Sequence, residues 1–204
     1  MFSTIRSAAV IGIEACPVRV EADICDGLPQ FNMVGDLAPE VREAADRVRT
    51  ALRNTQILFP PKKVTVNLAP AHFRKEGTRF DLPVAAALLA ALRIIPENFL
   101  QEVLMIGELG LDGSVRPVSG ALQTVLLAKE LGLKTCLVPR ENAKEGAVTG
   151  GIQVIGIGSL KELMECLLFP DTWERRAESV KTWKGQTVSY PEDFREINGQ
   201  KGVR

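Results

Sequence analysis

The sequence feature that most constrains the fold is the apolar run DLPVAAALLAAL at residues 81–92. After Asp81 it contains no charged residue, so a helix formed here has no polar stripe and is predicted to be buried on every side. Asp81 is a favourable N-cap residue, and Pro83 falls in the first turn, where its missing N–H costs nothing. Such a helix needs packed layers around it. At about a dozen residues, the run is too short to cross a bilayer.

Hydrophobic periodicity predicts a first half rich in strands. Alternating apolar and charged residues, or short β-branched runs, indicate strands at 4–13, 17–24, 30–35 and 62–70. Between them, apolar residues at helical spacing predict an amphipathic helix at 39–54, where Glu43 and Arg47 are spaced to pair. We interpret its charged face as solvated, with an arginine-rich phosphate-binding face as the alternative.

The second half alternates helices and strands. A hairpin is predicted at 105–120 around a Leu-Asp-Gly turn. The segments that follow are helix 121–132, strand 134–139, a short helix within 141–150, strand 152–158 and helix 159–168. Ser159 is expected to cap the last helix. Together the two halves predict an α/β (α+β) fold, a mixed sheet with packed helices.

Charge and cysteine content exclude some classes of protein. Lysine plus arginine and aspartate plus glutamate each number 25, so net charge indicates neither a nucleic-acid nor an acidic-membrane partner, although a local basic patch stays open. The four cysteines lack C-x-x-C spacing, and His72 is the single histidine, so no metal site is predicted. The N-terminal apolar run is too short for a signal peptide, and a soluble, cytoplasmic protein is expected.

Familiar catalytic motifs are missing from the sequence. No G-x-x-x-x-G-K-[ST] phosphate loop or G-x-S-x-G elbow occurs, and GIGSLK at 156–161 is better explained as a strand-to-helix turn. A Ser-Lys pair needs a serine at a helix entry and a desolvated lysine. The candidate serines are Ser114 and Ser119, and both stand in glycine-rich turns where serine is ordinary.

Three segments together resemble a known family. They are GLPQFNMVGDLAPEVREAADRVRTAL (27–52), FPPKKVTVNLAPAHFRKEGTRFDLPVAAALLAA (59–91) and GELGLDGSVRPVSGALQTVLLAKELG (107–132). Over residues 1–168 the chain resembles the N-terminal domain of bacterial magnesium-chelatase-like AAA+ ATPases, the YifB/ComM family. Residues 169–204 are expected to be a linker or tail, and DFREINGQKGVR (193–204) is similar to the stretch that opens the family's ATPase module. We therefore expect a truncated chain that lacks this module.

The resemblance implies a fold related to the proteolytic domain of Lon, but with a degenerate catalytic dyad. The Lon serine position falls on or near Asp81, and the Lon lysine position falls on Leu122 or at best Thr124. Neither residue type performs the chemistry of the original dyad. The segment KEGTRFDLP is thus interpreted as the site of a lost protease centre that now serves as a helix entry. Asp81 is expected to act as an N-cap, with Arg79 or Arg74 as its candidate partner.

For function, the resemblance implies a hexameric ring ATPase that acts on DNA, with competence (ComM-type) helicases among its members. ATP and Mg²⁺ are expected for the full-length protein, whereas this fragment is expected to bind no cofactor and to be no enzyme by itself. The first hypothesis is a DNA-facing domain. Its candidate phosphate-binding residues are Lys62, Lys63, Arg74, Lys75 and Arg79. The alternatives are a protein–protein module that shapes the ring and a residual peptidase that uses Ser114 or Ser119.

Overall fold

The computed structural model describes residues 1–179, apart from the side chain of Phe99. The strands of this part are β1 (Phe2–Ile11), β2 (Glu14–Cys25), β3 (Gln30–Val34), β4 (Lys63–Ala69), β5 (Val103–Met105), β6 (Glu108–Leu109), β7 (Val115–Arg116), β8 (Thr135–Pro139) and β9 (Gln153–Ile157). Seven of them form one sheet in the order β3-β4-β2-β1-β5-β8-β9, and β6 and β7 form a separate hairpin. β2 runs antiparallel to both β1 and β4, whereas the other neighbours are parallel. The predicted mixed sheet is confirmed.

The helices lie close to their predicted places. They are α1 (Pro39–Arg42), α2 (Ala44–Asn54), α3 (Asp81–Ala91), α4 (Ala121–Glu130), α5 (Ala143–Ala147), α6 (Leu160–Leu168) and α7 (Trp173–Arg176). One difference is that the helix predicted at 39–54 is interrupted at Glu43. There the amide of Asp46 donates to the carbonyl of Glu43 at 3.1 Å, a tight i+3 bond that separates α1 from α2.

The apolar helix α3 forms the centre of the molecule. All of its residues are buried, as predicted from the missing polar stripe. It shares a core with α2, α6 and the inward side chains of β1, β2 and β4. Inside that core the Ser3 hydroxyl donates to the carbonyl of Ala87 at 2.5 Å, which fixes β1 against the helix. A second core lies on the opposite sheet face, where α4 and α5 pack on β5 and β8.

One sheet face is covered only in part. Along β2 and β4, fully buried residues alternate with exposed or half-buried ones. The buried set, which includes Val20 and Val66, faces α3. The second core on the other face draws on β1, β5, β8 and β9 and includes no residue of β3 or β4. The half of the sheet made by β2, β4 and β3 therefore keeps an open polar face.

The chain continues to pack beyond the helix that ends at Leu168. Trp173 is buried, and its indole N–H donates to the carbonyl of Cys166 at 2.7 Å. Ala177 forms a bridge with Ile155 of β9. The first ten or so residues of the predicted linker thus lie on the domain, whereas residues 180–204 of that prediction lie outside the described part of the chain.

Within residues 1–179, none of the helices has the length and apolar character needed to cross a membrane. The apolar helix α3 has 11 residues and is about 17 Å long at 1.5 Å per residue. The hydrocarbon core of a bilayer is about 30 Å thick, so α3 is too short by nearly half.

The burial of α3 predicts a strong asymmetry between two leucine substitutions in helices. Leu88→Ala, at a fully buried position, is expected to lower the free energy of unfolding by about 3 kcal/mol because it leaves a cavity. Leu126→Ala, at a position 43% exposed on α4, is expected to cost about 0.5 kcal/mol. Urea unfolding followed by circular dichroism measures both. Equal losses would contradict the central position of α3.

Candidate functional site

The two positions that the resemblance to Lon assigns to the catalytic dyad lie at neighbouring helix N-termini. Asp81 is the first residue of α3, and Leu122 lies in the first turn of α4. The backbone after β5 is tied to the start of α3, because Gly107 donates to the carbonyl of Arg79 at 2.9 Å and accepts from Leu82 at 3.0 Å. The two helix starts thus meet at the carboxyl end of the central strands, a common place for sites in α/β folds.

Asp81 forms a buried ion pair that sequence reasoning did not predict. Its carboxylate accepts from Arg47 Nε at 2.7 Å and from Arg47 Nη2 at 2.9 Å, and also from the amide of Leu109 at 3.2 Å. Arg47 Nη2 further donates to the carbonyl of Glu40 at 2.8 Å. The N-cap of α3 is Phe80, so the expected N-cap role of Asp81 is wrong, as is its expected pairing with Arg79 or Arg74. The guanidinium of Arg47 binds the carboxylate with two hydrogen bonds, one to each oxygen.

The electrostatics of this pair indicate a structural role for both side chains. Burial raises the pKa of the Asp81 carboxyl, and the hydrogen bonds from Arg47 and Leu109 oppose that rise. The pKa of Arg47 is raised in turn, chiefly by its hydrogen bond to Asp81. Each charge therefore depends on the other, and the carboxylate has no exposed surface from which to attack a substrate.

The sequence identifies Arg47 as part of an ion pair, but it indicates a partner on the same helix and not the more distant Asp81. The predicted pairing of Glu43 with Arg47 exists at 3.6 Å. Only 19% of the Arg47 side chain is exposed, however, and its short contacts are to Asp81, which is 34 residues away. An i,i+4 pattern identifies neighbours along a helix but not a partner on another helix.

The lysine-equivalent position offers no proton acceptor. Leu122 contributes only its backbone amide, which donates to Glu145 Oε1 at 3.2 Å. The hydroxyl of Thr124 donates to the carbonyl of Gly120 at 2.8 Å inside its own helix. The alternative serines are also plain turn residues, because Ser114 donates to Asp112 at 2.6 Å and Ser119 is exposed just before α4.

Three of the five predicted basic residues lie on the surface. Lys62 pairs with Asp26 at 2.9 Å, Lys63 is exposed on β4, and Arg74 lies 3.8 Å from Glu76. The other two, Lys75 and Arg79, are buried, so the five do not form one basic edge.

Lys75 is buried because it closes the loop after β4. Its ammonium donates to the carbonyls of Pro70 and Phe73 and lies 4.3 Å from the centre of the Phe73 ring. Its backbone pairs with the segment before α1 through Asp36 and Ala38, at 2.9 Å each. Desolvation lowers the pKa of Lys75. The loop thus takes up two of the three ammonium hydrogens, and the buried side chain presents no surface to a phosphate.

Arg79 is buried without a comparable set of partners. It is 8% exposed, and its Nη1 has no hydrogen-bond acceptor among the described residues. Its guanidinium lies against Gly120, the residue before α4. Sequence reasoning placed this arginine on a surface loop, since nothing in KEGTRF distinguishes a buried charge from an exposed one.

Comparison with known proteins gives the same family relation that the motifs indicate. Residues 20–142 match the model of a family described as subunit ChlI of Mg-chelatase. YifB of Escherichia coli is 43% identical over 149 residues, which cover 73% of this chain and 29% of YifB. Competence protein ComM of Haemophilus influenzae is 33% identical over 204 residues, 98% of this chain and 39% of ComM. A Lon protease of Azorhizobium caulinodans is 25% identical over 184 residues, 84% of this chain and 21% of that protease.

The chain thus spans between 29% and 39% of the length of YifB and ComM. The Lon likeness fits the observed mixed sheet and its packed helices. A shared fold does not carry catalysis with it when the residues at the site differ.

The buried pair predicts a non-additive mutation cycle. Arg47→Met or Asp81→Leu alone is expected to cost about 3–5 kcal/mol of unfolding free energy, because each leaves one buried charge without its partner. The double variant is expected to recover most of that loss. Arg74→Met, which removes only an exposed pair, is expected to cost about 0–1 kcal/mol. Urea denaturation of the four variants measures the coupling, and simple additivity would show that the pair is not coupled.

Proposed function

The chain belongs to the magnesium-chelatase-like family that includes YifB and ComM, and on that premise we propose that it is a non-catalytic domain that binds single-stranded DNA. The full-length protein, in this proposal, is a cytoplasmic homo-hexameric ring whose AAA+ module uses ATP and Mg²⁺. The domain would guide DNA along the ring without performing chemistry of its own.

We propose a non-catalytic domain because of the buried pair between Arg47 and Asp81. Asp81 has both carboxylate oxygens engaged by Arg47, and Leu122 has no ionisable group. A serine-type peptidase needs an exposed nucleophile beside a proton acceptor. The residual-peptidase alternative relies instead on Ser114 or Ser119, and the Ser114 hydroxyl donates to Asp112 at 2.6 Å within its own turn.

The DNA-binding part of the proposal rests on the open face of the sheet. Phe2 and Arg6 lie on this face of β1, because residues two and four apart in a strand point the same way. Arg19 of β2 lies directly opposite Arg6, and Lys63 of β4 lies opposite Cys25, which shares the face with Arg19. Phe2 is 60% exposed. Exposed aromatic rings with nearby cations on a sheet are typical of single-strand binding surfaces.

The Arg6–Arg19 pair is the single observation that most favours an anionic partner. Like charges directly opposite each other on adjacent strands destabilise a sheet. The two arginines line a groove of about 670 Å³ together with Gln101 and Leu131. A phosphate between the guanidinium groups would remove the repulsion.

The acidic residues of the same face pair with only part of this positive charge. Glu21 accepts from Asn67 at 2.9 Å and lies 3.9 Å from Arg19. Asp23 lies 3.4 Å from the N-terminal ammonium of Met1. Both carboxylates are thus held by groups on or beside the sheet, and Arg6 and Lys63 remain for a ligand.

Charge reversal on the open face is expected to abolish DNA binding. The triple variant Arg6→Glu, Arg19→Glu, Lys63→Glu should bind a labelled oligo-dT about 100-fold more weakly, because it removes three phosphate contacts. The wild-type chain should show a slope of about −2 in log affinity against log salt, as three contacts to a single strand predict. Phe2→Ala should weaken binding about tenfold through lost stacking. Fluorescence anisotropy measures all three.

The matched control is a charge reversal elsewhere on the molecule. Arg42→Glu, Arg49→Glu and Arg53→Glu change the exposed face of α1 and α2 by a similar charge, and this variant is expected to keep most of the wild-type affinity. A larger loss in the control would place the phosphate-binding surface on that arginine-rich helical face. Unchanged affinity in the open-face variant would overturn the proposal, and self-association of the chain without DNA, seen by light scattering, would then favour an assembly module.

A further inference from the structure

Arg79 is a cation without a compensating charge among the described residues. It is 8% exposed, its Nη1 has no acceptor, and burial is the sole resolved cause of a lowered pKa for this arginine. The nearby carboxylates are used elsewhere, since Asp81 binds Arg47 and Glu108 accepts from Thr78. A buried charge of this kind is costly unless a partner satisfies it.

The guanidinium lies at the N-terminus of α4, which is also positive. A side-chain carbon placed on Gly120, the N-cap, would lie 3.5 Å from Nη1 and 3.6 Å from Nη2 of Arg79. The amides in the first turn of a helix point outward without helical acceptors, and the helix dipole adds positive charge there. The positive charge of an arginine is therefore unfavourable at the N-terminus of a helix.

The cap residue leaves these amides available. Gly120 has no side chain that accepts a hydrogen bond, unlike Ser159, whose hydroxyl accepts from Glu162 at the start of α6. Gly120 also has φ = 76°, a conformation that favours glycine. Of the first-turn amides, that of Leu122 donates to the exposed Glu145. This contact shows that the start of the helix accepts a carboxylate at an exposed position.

We propose that a phosphate group binds between the guanidinium of Arg79 and the N-terminus of α4. Arginine and a helix N-terminus are two of the most frequent phosphate-binding elements in proteins. A phosphate dianion supplies enough negative charge to compensate both at once. The small exposed fraction of Arg79 favours a terminal or free phosphate over an internal one in a polynucleotide. The site is separate from the open face of the sheet and does not depend on the proposed DNA-binding function.

The test compares the wild-type chain with Arg79→Met in buffers with and without inorganic phosphate. In phosphate-free buffer, Arg79→Met is expected to unfold at the same temperature as the wild type or above it, because it removes an uncompensated buried charge. With phosphate above its dissociation constant, the wild-type Tm is expected to rise about 4 °C further than that of the variant for each tenfold increase in phosphate. General salt effects act on both chains equally and cancel in this comparison.

Arg49→Met, at an exposed arginine of α2, is the matched control and should respond to phosphate as the wild type does. Equal responses of wild type and Arg79→Met would overturn the proposal. A variant that is less stable without phosphate and shows no difference with it would identify Arg79 as a purely structural residue.

A direct measurement covers the case in which Arg79→Met does not fold. Titration of the wild-type chain with inorganic phosphate, followed by calorimetry or ³¹P NMR, should show saturable binding to one site, and its absence would overturn the proposal. A 5′-phosphorylated oligonucleotide that competes for this site, where its unphosphorylated form does not, would identify a nucleic-acid end as the source of the phosphate. Lack of competition would identify the free anion.

Discussion

The buried pair between Arg47 and Asp81 connects three parts of the molecule that are distant in sequence. Arg47 belongs to α2, Asp81 begins α3, and the amide of Leu109, which also binds the carboxylate, belongs to β6. Because the Asp81 side chain has no exposed surface, water cannot replace any of these contacts at low cost. The N-terminus of α3 is therefore fixed against both the α2 layer and the hairpin after β5. The helices α2 and α6 share one core with this central helix, whose N-terminus the contact fixes.

This arrangement leaves a buried carboxylate at the start of α3, where the resemblance to Lon places a nucleophile. The second core under α4 and α5 closes half of the opposite sheet face. The polar face of β2, β4 and β3 stays accessible, with the Arg6–Arg19 groove at its border.

Features with a local cause were predictable from the sequence. The burial of α3 follows from its missing polar stripe. The cap of α6 follows from the position of Ser159, whose hydroxyl accepts a hydrogen bond from the amide three residues later. Lys75 and Arg79 were assigned to a surface patch because charge in a glycine-bearing loop is normally solvated. The burial of Lys75 depends on the carbonyls of Pro70 and Phe73, and the burial of Arg79 depends on its contact with the start of α4. Such tertiary contacts leave no periodic or motif signal in the chain.

The two helix N-termini at this end of the sheet differ in how their charge is balanced. At α3 the positive end of the helix dipole lies beside the carboxylate of Asp81, and Arg47 balances the rest of that negative charge. At α4 the positive end of the dipole lies beside Arg79, and the exposed Glu145 accepts from the amide of Leu122. The first arrangement is complete within the described chain, whereas the second has two positive groups facing each other. An anion supplied from outside would balance the positive charge of the second arrangement, as the proposed phosphate does.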